Sequence, residues 1–319
     1  ACGKAEERRL MSVPTGHQLR SSKEAMQVFQ LIAVEIGRIA AGRAVRPVTP
    51  NLVELDRRRR EERRLRKVAE ADTRRLWSNY LVGPDNGLRI DLMNATSAYS
   101  GLLELHAKRL PLSLGSTIAD LGAGTGPFSR YLVESGVSGV TIDEVDFVLK
   151  ALRARDDSTR TSNLALRQVV ADFDGGGIPL KSESYDGVCA CLVVSYLREP
   201  VEFLVEINRI LKPGGILSIS GLRPDADVSK LFVEGMDELR SGVILDRFGV
   251  EAENRLQHDA SEFLNEAARV LDFEEQGLFT FWDDETFSRN LRAAGFRVLE
   301  LSRAFGDPPQ ALVASAVKR

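Results

Sequence analysis

Cysteine and histidine are scarce in this chain: there are three of each among 319 residues, with two tryptophans and four methionines. So few cysteines exclude a disulfide framework, and Cys189 and Cys191, inside one apolar run, are expected to be core thiols rather than metal ligands. A reducing, cytoplasmic setting is the default for such a chain. Neither sign of charge dominates. Lys and Arg number 43 against 46 Asp and Glu, a formal net charge of −3, so the whole chain is not a polyanion binder. No apolar run reaches the ~18 residues of a membrane span. The polar, charged opening residues predict no signal peptide. A first residue Ala1 in place of Met predicts either processing or a piece of something longer.

What the chain does have is a glycine loop. The stretch Ile118-Ala119-Asp120-Leu121-Gly122-Ala123-Gly124-Thr125-Gly126-Pro127-Phe128 starts apolar, passes an acid, and then places glycines at alternate positions. An amphipathic segment, Phe128 to Ser135, follows. The pattern predicts strand, tight turn, helix. Glycines let the backbone approach a ligand where a Cβ would clash, and a helix start presents free N–H groups. A nucleotide-like ligand is therefore expected. The spacing G-x-G-x-G differs from the G-x-G-x-x-G of dinucleotide sites, which leaves room for a pyrophosphate.

With Asp120 before it, this loop resembles motif I of the class I S-adenosylmethionine-dependent methyltransferases, and the downstream segments resemble that family in order. Gly139 to Ile142 predicts a second strand running into Asp143-Glu144-Val145-Asp146. The family's acid at this strand end bonds both ribose hydroxyls. Loop length from Gly126 favours Asp143, and the helix-start pattern favours Asp146 slightly more. A third strand, Leu166 to Phe173, would end in Asp172 and Phe173, which the resemblance assigns to adenine. Ser184-Tyr185-Asp186-Gly187-Val188 enters a fourth strand expected to continue to Val194. Cys191 and Leu192 would then lie under the cofactor sulfur. Glu206-Ile207-Asn208-Arg209-Ile210-Leu211-Lys212-Pro213-Gly214-Gly215 is similar to the family's "E-x-x-R-x-L-K-P-G-G", with a fifth strand over Ile216–Ser220. The resemblance spans roughly residues 116 to 220. It implies an α/β fold: a Rossmann-like, seven-stranded, mostly parallel sheet with helices on both faces. It also implies S-adenosylmethionine as cofactor, with Asp120, Gly122 and Gly124 at its methionine end.

An N-terminal helical extension and a helical cap insertion are expected around that core. Residues 1–50 carry a helix, Ser22 to Gly42. There Thr15-Gly16-His17 through Met26 resembles the C-terminal tail of D-2-hydroxyacid dehydrogenases, with Gly16 in place of that family's Pro. A severed dehydrogenase tail and a chance helix with a lone histidine are the two readings. Residues 51–110 supply a charged linker and lid helices. The Arg-rich run from Glu54 to Arg75 has acids interspersed, which favours a solvated helix over a nucleic-acid footprint. Gly83 to Gly87 breaks the chain. Leu88 to Leu110 reads as a helix anchored by Tyr99, Leu102, Leu103 and Leu105, with Tyr99 and, further on, Tyr196 as lid or acceptor contacts. Residues 111–319 form the methyltransferase domain, with the cap at about 222–277. Within the cap, His258 is the available general base near neutral pH, against the plainer reading of a surface histidine. The resemblance implies transfer of a methyl group to an O, N or C atom of a small organic acceptor; methylation of RNA or protein through the Arg-rich run, and a non-catalytic S-adenosylmethionine-binding subunit, are the other readings. A homodimer is left open, nucleic acid is disfavoured, no membrane is expected, and no metal is called for.

Overall fold

The computed structural model describes residues 81, 94–153, 163–173, 177–197, 199–243, 246 and 280–319. These fall into two compact units. The first holds Leu81 and the described parts of 97–226 and 280–319; the second holds 94–96 and 227–246. The expected helix at Ser22–Gly42, His17, the Arg-rich run, the Gly83–Gly87 break, and His258 with most of the expected cap lie outside the described residues.

The first unit is built on a seven-stranded sheet of order β3-β2-β1-β4-β5-β7-β6. Its strands are β1 (Thr117–Leu121), β2 (Thr141–Asp146), β3 (Ala165–Val170), β4 (Tyr185–Ala190), β5 (Leu211–Leu222), β6 (Phe296–Ala304) and β7 (Ala311–Lys318). The first five pair in parallel, and β7 runs antiparallel between β5 and β6. Helix α1 (Ser97–Arg109) packs against α2 (Pro127–Glu134). Helix α4 (Pro200–Ile210) packs against α6 (Asp284–Ala293), and a short α3 (Leu149–Arg153) follows β2. Parallel crossovers are right-handed, so the connection leaving β1 one way and that leaving β4 the other put their helices on opposite faces.

The two faces differ in chemistry. Side chains alternate along a strand, and Ala119, Leu121, Val188, Ala190, Leu217 and Ile219 join one apolar cluster with Phe203 and Ile207 of α4 and Phe287 of α6. The Trp282 ring packs 5.3 Å from that of Phe287. The face under α1 instead carries Asp120, Cys189, Ser218 and Ser220, all buried. Helix α1 covers it with Tyr99, Leu102, Leu103 and His106, an i, i+3, i+4, i+7 stripe. Leu105, expected to anchor this helix, is only half-buried.

The strand limits depart from the sequence reading at several places. β3 ends at Val170, short of Asp172 and Phe173, where its pairing with β2 runs out opposite Asp146. β2 runs on to Asp146 rather than stopping at Ile142, because Asp143 and Glu144 are held extended between β1 and β3. β4 stops at Ala190, short of Val194. Leu192 adopts φ 60, outside the extended region, and a 3-10 turn follows at Val193–Tyr196. β5 starts at Leu211, not Ile216, and a register shift opposite Tyr185 and Gly187 absorbs the glycine pair.

In the second unit, helix α5 (Val228–Ser241) buries Leu231 and Met236. No helix of the described residues is long and apolar enough to cross a membrane.

Candidate cofactor cleft

Chain connections leave β1 toward β2 and leave β4 toward β5, so the order reverses between β1 and β4. A crevice opens beyond the carboxyl ends of two such strands. The glycine loop enters it from β1 and the Cys191–Tyr196 turn enters it from β4.

The loop is held by the end of β2. Gly122 N–H and Ala123 N–H both donate to the Val145 carbonyl, at 2.8 and 3.1 Å. Gly124 N–H donates to Asp146 Oδ2 at 2.9 Å, and Val148 N–H donates to Asp146 Oδ1 at 2.8 Å. Gly122 has φ +76, and a Cβ there would sit 2.7 Å from Val193 Cγ2. Only glycine permits both this backbone conformation and this contact.

Asp120 stands in register with Glu144 on β2. It is 2% exposed, and its Oδ2 has no hydrogen-bond partner. Burial, then Glu144 and Asp146, push its carboxyl well above the usual carboxylate range. Burial raises the Asp146 carboxyl too, while the N–H groups of Val148, Gly124 and Phe147 pull it back. No group of His, Cys, Asp and Glu among the described residues has the geometry to hold a metal ion.

Asp143 is elsewhere. Three positions before Asp146, it leaves the opposite face of the sheet. It accepts hydrogen bonds from Arg167 Nη2 at 2.8 Å, from Arg167 Nε and from the Tyr185 hydroxyl. Its carboxylate is thus occupied away from the strand ends. Asp172 lies two residues past β3 and is half-buried. The Phe173 ring packs 5.1 Å from that of Phe203 of α4. Leu192 is buried, and Cys191 beside it is half-buried with its thiol pushed up to about 12, chiefly by burial. Tyr99 is buried against Phe305, ring centroids 6.1 Å apart and edge-on, and its hydroxyl bonds Cys191. Tyr196 ends the 3-10 turn, half-buried.

Sequence reasoning missed three residues here. Val193 packs onto Gly122. Ser220 accepts the Leu192 N–H at 2.9 Å. His106, fully buried, bonds Ser220 through Nε2 at 2.9 Å and Ser218 through Nδ1 at 2.8 Å. The available signal was polar: two serines at alternate positions of a central strand, and a histidine in register with an apolar helical stripe, each need a buried partner.

Known proteins similar to this chain in sequence are methyltransferases. A family model described as a methyltransferase domain matches residues 119–219. The chain is 30% identical over 190 residues to the demethylmenaquinone methyltransferase of Clavibacter sepedonicus, covering 58% of this chain and 67% of that one. It is 35% identical over 103 residues to an uncharacterized methyltransferase of Mycobacterium tuberculosis, of which it spans 38%, and 32% of this chain is covered. A SAM-dependent methyltransferase structure from Aquifex aeolicus aligns with a TM-score of 0.45 at 17% identity, over 76% of this chain and 97% of that one. The chain belongs to the class I S-adenosylmethionine-dependent methyltransferases. Its cofactor is S-adenosylmethionine, and the cleft's chemistry fits that cation. The unpaired, buried Asp120 Oδ2 can accept from an ammonium, and the loop has no Cβ at Gly122 or Gly124 to obstruct it.

Proposed function

We propose that this methyltransferase acts on a small organic acceptor, at an O, N or C atom, with the cofactor lying across the ends of β1, β2 and β4. The bound cofactor supplies an electrophilic methyl carbon on a sulfonium. The chain's part is to hold that carbon and the acceptor in line and keep water out.

The observation that carries the site assignment is the buried, unpaired oxygen of Asp120 beside the glycine loop. A desolvated carboxyl without a cation is costly, and a ligand ammonium offsets that cost. Asp120 is therefore assigned to the ammonium, with Gly122 and Gly124 letting the methionine end approach. Asp146 is assigned to the ribose. Its Oδ1 accepts the Val148 N–H at 2.8 Å and its Oδ2 the Gly124 N–H at 2.9 Å, and a carboxylate has further lone-pair sites for hydroxyls. Asp172 takes the adenine amino group and Phe173 lies beside the ring. Backbone of Leu192 faces the sulfur.

A small acceptor is supported by the similarity to a demethylmenaquinone methyltransferase and by the net charge of −3, which gives no overall attraction to nucleic acid. The test incubates the protein with S-adenosylmethionine and a panel of hydroxyquinones, phenols, carboxylic acids and tRNA, and measures S-adenosylhomocysteine release. Release with a small acceptor alone is expected. Release with tRNA alone overturns this reading.

A further inference from the structure

Ser218 and Ser220 sit two apart on β5, a central strand, and both are fully buried under α1. Both bond the same imidazole. His106 Nδ1 lies 2.8 Å from Ser218 Oγ and His106 Nε2 lies 2.9 Å from Ser220 Oγ. They part company at the other end. Ser220 Oγ also accepts the N–H of Leu192 at 2.9 Å, and it bonds the Cys191 thiol. Leu192 is one of three non-glycine residues with positive φ among the described residues. A leucine in that conformation is costly by itself and persists only where its surroundings over-determine it. The next residue, Val193, rests its side chain on Gly122 of the cofactor loop. The turn is tied to β5 a second time, where Ser195 Oγ accepts the N–H of Leu222, the last residue of that strand, at 2.8 Å.

We propose that His106 and Ser220 are positioning residues for the cofactor. The buried imidazole orients the Ser220 hydroxyl, the hydroxyl holds the Leu192 amide in its left-handed turn, and the turn sets Val193 as a floor under Gly122. Neither side chain touches the cofactor; they act through Leu192 and Val193. The chain of contacts is continuous from α1 to the glycine loop. A wholly apolar pair in the same place would bury as much surface but leave the Leu192 N–H without an acceptor. The proposal rests on the assignment of this cleft to the cofactor.

Ser218 is the control that the fold itself provides, because it shares the burial, the strand and the histidine but not the turn. The experiment measures binding of S-adenosylmethionine and S-adenosylhomocysteine by calorimetry, and thermal melting, for the full chain and for Ser218→Ala, Ser220→Ala, Ser220→Thr and Asp146→Ala. Ser220→Ala is expected to weaken binding of both ligands about tenfold, the size of effect that releasing the Leu192 amide from its acceptor would have. Ser220→Thr, which keeps the hydroxyl, restores most of it. Ser218→Ala also lowers the melting temperature but leaves affinity within about twofold. Equal weakening by the two alanine variants, or none by either, overturns the proposal and reduces the network to a structural one. Asp146→Ala separates this failure from failure of the cleft assignment. Binding that survives Asp146→Ala overturns that assignment and this proposal with it, whereas loss in Asp146→Ala with full affinity in Ser220→Ala overturns the positioning role alone.

Discussion

Asp143 and Asp146 stand three residues apart on β2 and do opposite things. Asp143 turns to one face and is consumed by Arg167 and Tyr185; Asp146 turns to the other and receives the amide of Gly124. Exchanging their roles is therefore testable. Asp146→Ala is expected to weaken S-adenosylmethionine binding at least about tenfold, with a modest change in stability. Asp143→Ala is expected to cost roughly 1–3 kcal/mol of stability, because it strands a buried tyrosine hydroxyl, and to leave affinity within a few-fold. Urea denaturation and calorimetry on both variants check this, and a reversed pattern would exclude the assignment of Asp146 to the ribose.

Asp120 links cofactor binding to protons. Burial, then Glu144 and Asp146, raise its carboxyl pKa, so the folded, unliganded chain holds a proton there that the unfolded chain releases above its ordinary value of 3.8. Stability from this group falls as pH rises through that window. A cationic ligand favours the ionised form, so binding should expel the proton. Calorimetry of S-adenosylmethionine binding in buffers of different ionisation enthalpy, repeated at rising pH from just above 3.8, is expected to report net proton release across the window in which the buried carboxyl keeps its proton. Asp120→Asn should abolish that release, bind the cofactor more weakly, and make the unliganded protein no less stable.

Gly122 and Gly124 should respond unequally to alanine. At Gly122 the new Cβ meets Val193 at 2.7 Å on a backbone with φ +76; at Gly124 the φ is +55 and the nearest atom is Leu81 Cδ2 at 3.8 Å. Gly122→Ala is expected to destabilise by about 2–4 kcal/mol, from a strained φ plus overpacking, and to eliminate measurable binding. Gly124→Ala should cost only about 1–2 kcal/mol, the conformational part alone. Melting and binding curves for the pair would show the ranking, and equal effects would mean that Val193 yields freely.

His106 gives the fold an acid-sensitive point. Burial, reinforced by Arg109, lowers its pKa from 6.5 to about 3. Between those values the unfolded chain carries a proton that the folded chain refuses. The contribution is complete above pH 6.5 and is lost as pH falls toward 3. Wild type is expected to lose about 2 kcal/mol more than His106→Gln on going from pH 7 to pH 5. Parallel slopes for the two proteins in urea denaturation would show that the imidazole accepts a proton in place.

Much of the cleft could be read directly from residue order. The Asp120 to Gly126 pattern is legible because a close backbone approach needs positions without a Cβ at set intervals, and few other folds demand the same. Helix α6 has ends of the kind that local sequence can mark, since Asp283 caps its start by accepting Thr286 N–H at 2.8 Å and Gly295 follows its close with φ +90. The choice between Asp143 and Asp146 was not legible, because it depends on how far β2 stays paired with β1 and β3. Cross-strand hydrogen bonds set that length, and two acids in a row give no local sign of it.

The amino-acid sequence by itself determined the class of the fold, the glycine loop, the acids at strand ends and the order in which they arrive. All of these rest on local spacing, which a linear chain carries intact. Only the tertiary structure decided that Leu192 turns left-handed, that Val193 lies under Gly122, and that His106 reaches Ser218 and Ser220, 112 and 114 residues away. Those relationships come from the burial of polar groups between distant segments. Each group must find a partner once water is excluded, and only the packed fold determines which one is within reach.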